Sequence, residues 1–167
     1  MRNASNVWRQ EIDVTACVDI QIRCDHPCPS EEKLRQWVDA ALEGKSAEVS
    51  LAIVDEAEIT VLNHRYRHRN HPTNVLSFPF EAPAGVPLAF LGDVVIGAPV
   101  VAREAQAQGK TEAAHWAHMV IHGVLHLRGF DHIATEEAEM MESLERKILS
   151  QLGFEDPYLS IEVIERS

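Results

Sequence analysis

The chain has 167 residues, of which 46% are hydrophobic and 25% charged, a balance that is ordinary for a globular protein and predicts one domain over residues 1–167. Its longest apolar runs are far shorter than a membrane span and its N-terminus shows no secretion signal, so we expect a cytoplasmic protein with no membrane partner. The formal net charge of −11 speaks against a protein that coats nucleic acid indiscriminately.

Strands and helices are predicted to alternate in the first part of the chain. A period-two pattern predicts a strand over residues 14–22. Ser30 is a typical N-cap, and the helix that follows it is expected to end at Gly44. A short apolar run predicts a second strand over residues 49–54, after which Asp55 caps a second helix.

The second part of the chain predicts a hairpin followed by helices. Residues 73–80 are rich in β-formers, and Pro79 favours an edge or the end of a strand. Residues 91–96 predict a fourth strand that pairs with the third. Three helices are then expected near Pro99, after Thr111 and from Thr135. The order βαβαββααα predicts an α+β fold, with a small mixed four-stranded sheet packed with about five helices.

The three cysteines do not predict a disulfide framework. Cys17, Cys24 and Cys28 are an odd number in a compartment that keeps thiols reduced. Cys24 and Cys28 lie in the segment CDHPC, which has no matching pair of ligands elsewhere in the chain. We therefore interpret this segment as an exposed loop and not as a second metal site.

The stretch HGVLHLRGFDH, residues 122–132, carries the strongest chemical signal. His122 and His126 are four residues apart, so both imidazoles can reach one point off a helix. Gly129 is typical of the left-handed residue that ends a helix, and the turn after it lets His132 return toward the other two. Three neutral imidazoles with a fourth position left to water predict an open, catalytic zinc site on this central helix, with one zinc per chain.

Three further residues near this motif are candidates for supporting roles. His115 and His118 extend the row of histidines backward from His122. We interpret His118 as a substrate-binding group or as a support for the ligands, because three ligands already complete an open zinc set. Asp131 is a candidate acceptor for the N–H of a ligand histidine.

Residues 64–71, here called the basic island, hold three arginines, three histidines and no acid, so they leave −14 on the remainder if they count +3. A basic island on an acidic body suits an anionic substrate that is admitted at one place. A solvated loop without a partner is the open alternative. If the substrate is a phosphodiester, Arg65, Arg67 and Arg69 could stabilise the transition state, because a guanidinium binds phosphate oxygens bidentately.

The histidine spacing equals that of the metzincin proteases, whose motif places a catalytic glutamate directly after the first histidine. This chain has Gly123 at that position, so a peptidase mechanism lacks its usual general base. Zinc could still lower the pKa of its water to about 7 and polarise a phosphoryl oxygen. The ligand geometry is therefore expected to serve a different reaction.

HGVLHLRGFDH resembles the signature of the YbeY-type endoribonucleases, bacterial rRNA maturation factors. Residues 62–67 with 72–78 resemble that family's second motif and residues 91–93 its third, and the likeness spans about residues 47–153. It implies a zinc-dependent, single-strand-preferring endoribonuclease in 16S rRNA 3′-end processing and ribosome quality control, with rRNA, the small subunit and ribosome-associated proteins as partners. It places the ligands on His122, His126 and His132 and the functional arginine on Arg67, while Asn74 stands where many relatives carry Asp.

The leading hypothesis is metal-assisted cleavage of RNA. Arg67 would hold the scissile phosphate while the metal, held by His122 and its partners, activates water or the phosphoryl oxygen. Two alternatives stay open. One is a metal-dependent peptidase or amidase with a base from elsewhere, such as Glu81. The other is a non-enzymatic ribosome-assembly factor in which the metal is structural and the basic island docks on rRNA.

Overall fold

The computed structural model of the protein describes residues 16–81, 83, 85, 89–131 and 134–159. Within them the elements follow the predicted order βαβαββααα, and the predicted α+β class is confirmed. The strands are β1 (Ala16–Ile22), β2 (Ala47–Val54), β3 (Val75–Pro79) and β4 (Phe90–Gly97). The helices are α1 (Glu31–Leu42), α2 (Glu56–Arg67), α3 (Ala98–Gln108), α4 (Glu112–Leu127) and α5 (Thr135–Gln151). Residues 14 and 15 of the predicted first strand lie outside the described residues.

The four described strands form one mixed sheet in the order β1-β2-β4-β3. β1, β2 and β4 run parallel, while β3 pairs with β4 in the antiparallel direction, so the predicted hairpin is confirmed. β3 is an edge strand of this sheet, with Val75 opposite Ile96 and Pro79 opposite Gly92. Pro79 fits there because an edge strand does not need every backbone N–H for pairing.

Helix α4 lies in the centre of the main core, on one face of the sheet. It packs against α1, α3 and α5 as well as against β3 and β4. The face predicted for α1 is buried as expected, and each large apolar side chain buried in this way stabilises the fold by about 1.5–3 kcal/mol. The members of that face are Leu34, Trp37, Val38, Ala41 and Leu42. Among the described helices, none is both long and apolar enough to cross a bilayer.

The predicted caps explain where the helices next to the site begin and end. Asp55 accepts a hydrogen bond from the backbone N–H of Glu58 at 2.8 Å, and Thr111 accepts one from Ala114 at 3.1 Å. α2 ends at His68, which adopts a left-handed conformation with φ 58°, so the chain turns sharply inside the basic island. Gly129 has φ 98° and ends α4 as predicted, because this conformation carries no Cβ penalty at glycine.

The CDHPC segment is less exposed than the sequence predicts. Cys24 and Cys28 are half-buried and pack against the main core, because their thiol side chains behave as small hydrophobic groups. Burial raises the pKa of both thiols. All three cysteines are free in the structure.

Candidate metal centre and nucleic-acid groove

Four histidines form a row along one side of α4. His115, His118, His122 and His126 are spaced by three, four and four residues, so successive rings lie one above another on the helix. The ring centroids of successive members are 6.2, 6.2 and 4.7 Å apart. We call these four residues the histidine row. His115 and His118 are buried, whereas His122 and His126 are half-buried and reach a groove at the C-terminal end of the helix.

The last two rings of the row, which the sequence nominates as metal ligands, face each other. The Nε2 atoms of His122 and His126 are 3.2 Å apart. Two nitrogens bound at 2.0–2.1 Å to one tetrahedral zinc ion would be about 3.3 Å apart, so the pair fits such an ion. His132, the third ligand that the spacing predicts, lies outside the described residues.

The groove beside this pair has a volume of about 450 Å³ and brings together residues from three parts of the chain. Arg67 and Arg69 of the basic island line it together with the two histidines. Asp131 also lines it, just beyond the end of α4. The start of β3 contributes the remaining lining residues, which are Thr73, Asn74, Val75 and Ser77.

The structure separates the arginines that the sequence grouped together. Arg67 is the last residue of α2 and Arg69 follows its C-cap, and both are exposed at the groove. Arg65 is also exposed, but it is not among the residues that line the groove. Glu81, the alternative base, is exposed beyond the end of β3 and does not line the described groove either.

Position 123 has no room for a side chain, because α4 approaches the sheet closely at this point. A Cβ atom on Gly123 would lie 2.6 Å from Cγ1 of Val94 and 3.2 Å from Cγ2 of Val75. The hydroxyl of Ser77 donates a hydrogen bond of 2.9 Å to the carbonyl oxygen of Gly123, which fixes the helix against β3. A glutamate at this position would collide with β4, so the missing protease base has a packing reason as well as a chemical one.

Behind the pair lies a buried carboxylate that the sequence motifs do not single out. Oε1 of Glu145 is 2.8 Å from Nδ1 of His122, and its Oε2 is 2.6 Å from Nε2 of His118. The hydroxyl of Tyr158 donates to the same Oε2 at 2.5 Å. Glu145 comes from α5 and is 0% exposed. The one available signal was its position between Met141 and Ile148, inside the apolar stripe of α5, where a carboxylate needs buried partners.

The protonation states in this network follow from burial and hydrogen bonding. Burial alone would raise the pKa of Glu145, but hydrogen bonds from His118 and His122 hold it well below its ordinary value. Burial lowers the pKa of His118 against the opposing effect of Glu145, and Nε2 of its ring donates to the carboxylate. Nδ1 of His118 has no hydrogen-bond partner in the described part of the chain. Burial and the charge of Glu145 raise the pKa of Tyr158, which keeps its hydroxyl a donor.

This network is also a group of possible metal ligands. His118, His122 and Glu145 each offer a ligand atom within 4.8 Å of the others, and such a group could hold a metal ion. His118 is only 7% exposed and lies behind His122; its role as a substrate-binding group or as a support for the ligands stays a prediction.

A second carboxylate connects the buried end of the histidine row to the groove. Glu104 of α3 lies 3.0 Å from Nε2 of His115, and Nδ2 of Asn74 donates to both of its oxygens at 3.1 and 3.3 Å. Oδ1 of Asn74 accepts from the N–H of Val75 at 2.7 Å, which holds the first residue of β3. Burial raises the pKa of Glu104, but the hydrogen bonds from His115 and Asn74 outweigh it and leave the pKa below its ordinary value. An amide serves at position 74 because it can donate to this carboxylate, which an ionised aspartate could not do.

Comparison with known proteins identifies the family to which the chain is similar. A family model described as "Endoribonuclease YbeY" matches residues 19–153, which include the described groove and the histidine row. An "Endoribonuclease YbeY" of Alkalilimnicola ehrlichii is 62% identical over 136 aligned residues, and the match covers 78% of this chain and 82% of the relative. The solution structure of a protein from Thermotoga maritima is similar with a TM-score of 0.52 and 25% identity, and the match covers 80% of this chain and 91% of that one.

Proposed function

The chain belongs to the YbeY endoribonuclease family. We propose that it is a zinc-dependent endoribonuclease that cuts single-stranded RNA. The proposed substrate is the 3′ end of 16S rRNA. It would be cut in the cytoplasm during maturation and quality control of the small subunit, with ribosome-associated proteins as partners. One observation carries the proposal. The Nε2 atoms of His122 and His126 lie 3.2 Å apart in a groove that two arginines line.

The metal would be held at the groove by one ring nitrogen from each ligand histidine. His122 and His126 fit this role by their geometry, and His132 is added on the strength of the resemblance. When bound, zinc would supply Lewis-acid polarisation of the phosphate and would lower the pKa of a water. Glu145 supports the ligand His122, because a carboxylate that accepts from Nδ1–H leaves the lone pair on Nε2 for the metal.

The alternative position, among His118, His122 and Glu145, is less suited to a catalytic ion. Both oxygens of Glu145 already accept hydrogen bonds, and the carboxylate is 0% exposed. An ion there would lie against this buried carboxylate and not at the groove that the two arginines line. The groove side of His122 is open, which favours it as the place of reaction.

Arg67 and Arg69 would bind the RNA backbone next to the metal. Both guanidinium groups lie at the groove and stay protonated, so they can pair with phosphate oxygens and stabilise charge that builds up during cleavage. The remainder of the chain is strongly acidic and would repel RNA elsewhere. The electrostatics therefore favour an entry at this groove.

The test is cleavage of a single-stranded fragment of the 16S rRNA 3′ end by wild-type protein and three variants. Arg67→Ala is expected to lower kcat/KM about 10²–10³-fold, because a donor to transition-state charge is lost. His122→Ala is expected to abolish cleavage, and a chelator should do the same to the wild type until zinc is restored. Arg23→Ala is the matched control, since Arg23 is exposed and pairs with Glu58 away from the groove.

Two outcomes would contradict the proposal. Equal cleavage by the wild type, Arg67→Ala and His122→Ala would assign the activity to a contaminating nuclease. No cleavage by the wild type, combined with co-sedimentation of His126→Ala with ribosomal subunits, would favour the non-enzymatic assembly factor. Metal analysis of protein purified without added ions identifies the ion itself.

A further inference from the structure

The buried network behind the groove includes a residue from the C-terminal end of the described chain. Tyr158 follows α5 by seven positions, and its hydroxyl donates to Oε2 of Glu145 at 2.5 Å. The other oxygen, Oε1, lies 2.8 Å from Nδ1 of the candidate ligand His122. One rigid carboxylate thus connects the tyrosine hydroxyl to the histidine ring, although Tyr158 is not among the residues that line the groove.

Tyr158 is held in place by contacts on several sides. Its backbone N–H donates to Oδ1 of Asp156 at 2.9 Å, and the guanidinium of Arg146 lies over its ring, 5.1 Å from the centroid. Arg146 also pairs with Asp156 at 3.1 Å. Nζ of Lys110, just before α4, donates to the carbonyl oxygen of Pro157 at 2.7 Å. The turn of residues 156–159 is therefore fastened to both α5 and the start of α4.

We propose that Tyr158 is a positioning residue for the metal centre, acting through Glu145 on the ring of His122. This inference rests on the proposed metal dependence of the function. Two donors, Tyr158 and His118, hold Oε2 and so fix the plane of the carboxylate. The fixed plane places Oε1 in line with Nδ1 of His122, and this bond directs Nε2 toward the groove. Without the hydroxyl, the carboxylate keeps its charge but loses one of the two contacts that orient it.

The experiment measures zinc affinity of the full chain by competition with a chromogenic chelator. Tyr158→Phe removes only the hydroxyl and is expected to weaken zinc binding about three- to tenfold, less than the loss of a carboxylate that contacts a ligand directly. The absorption spectrum of the cobalt-loaded protein is expected to change, because the orientation of one ligand changes. A purely structural role for Tyr158 would lower the melting temperature without altering that spectrum.

Tyr66→Phe is the matched control, since it removes the other tyrosine hydroxyl of the chain from an exposed ring on α2. It is expected to bind zinc like the wild type. Asp156→Ala is a second variant that keeps the hydroxyl and frees the backbone of Tyr158 from its acceptor. It is expected to weaken zinc binding in the same direction and by a smaller factor, so the inference can be tested even if Tyr158→Phe does not fold.

The outcomes separate this inference from the proposed function. A wild type that binds no zinc would overturn both. Zinc binding by the wild type with unchanged affinity and cobalt spectrum in both variants would overturn the inference alone. Tighter binding by Tyr158→Phe would also overturn it, because the hydroxyl would then compete with an ion that Glu145 itself ligates.

Discussion

The two halves of the histidine row use the same side chain in opposite ways. His115 and His118 are buried, and each lies within 3.0 Å of a carboxylate oxygen. His122 and His126 are half-buried and turn ring nitrogens toward each other in the groove. His122 belongs to both halves, since its Nδ1 faces Glu145 and its Nε2 faces His126. Position along one helix therefore decides whether an imidazole stabilises the core or is available to a ligand.

Substitutions in the buried half should therefore change the stability of the fold, and substitutions in the groove half should change ligand binding. A buried carboxylate must keep its donors, because a buried polar group without a partner lowers the free energy of unfolding. A group at an open groove can exchange its protein contacts for water with little change in the free energy of unfolding. Substitutions on the two sides of His122 are the way to separate these contributions.

The largest effect on stability is expected from Glu145→Leu. This change leaves the donors of His118, His122 and Tyr158 without their acceptor in the core, and it should lower the free energy of unfolding by about 3–5 kcal/mol. Urea denaturation with chelator present measures this cost free of any contribution from bound metal.

The matched variant on the groove side is His126→Ala. It should lower the free energy of unfolding by less than about 1 kcal/mol, since its ring is half-buried at an open groove. Equal losses of unfolding free energy in the two variants would contradict the claim that the buried half stabilises the fold more than the groove half. A cost below about 1 kcal/mol for Glu145→Leu would show that the network is not a source of stability.

An effect smaller than that of Glu145→Leu is expected at Glu104, where the two halves are joined through His115 and Asn74. Glu104→Gln should lower the free energy of unfolding by about 1 kcal/mol at pH 7, because the carboxylate is still partly exposed. The pKa of Glu104 is lower in the folded protein than in the unfolded chain, so its contribution is present above the unfolded value of about 4.3 and is lost as the pH falls below it.

The measurement is urea denaturation of wild type and Glu104→Gln at several pH values between 7 and 3.5. The difference between them should shrink toward the acid end, while all other carboxylates cancel because both proteins share them. A difference that stays constant over this range would mean that the charge of Glu104 does not stabilise the link to His115. A difference that grows toward low pH would mean that folding raises the pKa of Glu104 and does not lower it.

The features that could be predicted from the sequence are those that depend on neighbours along the chain. The caps at Asp55 and Thr111, the glycine at position 129 and the spacing of His122 and His126 all act within one or two turns of a helix. These local rules are enough to give the order of elements, and the family resemblance extends them to the assignment that the comparisons confirm.

The supporting network could not be predicted because its members meet only in the folded chain. Glu145 lies 23 residues from His122, and Tyr158 lies 40 residues from His118. No periodic pattern connects them, and the same holds for Glu104 and Asn74, which are 30 residues apart. The packing of α5 and α3 on α4 creates these contacts. Asp131, which lies within the motif, is the supporting residue that the sequence predicts, and that role stays a prediction.

The smallest effect on stability is expected from Arg69→Ala, on the groove side, where binding should change instead. Arg69 is exposed, so its loss should alter the free energy of unfolding by no more than about 0.5 kcal/mol. If its guanidinium contacts one phosphate, the slope of log K against log salt concentration for single-stranded RNA should fall by about 1. Fluorescence anisotropy over a range of salt concentrations measures this slope, with Arg23→Ala as the unchanged control. The same slope change in Arg65→Ala would extend the RNA path beyond the groove along α2, whereas an unchanged slope in Arg69→Ala would remove Arg69 from that path.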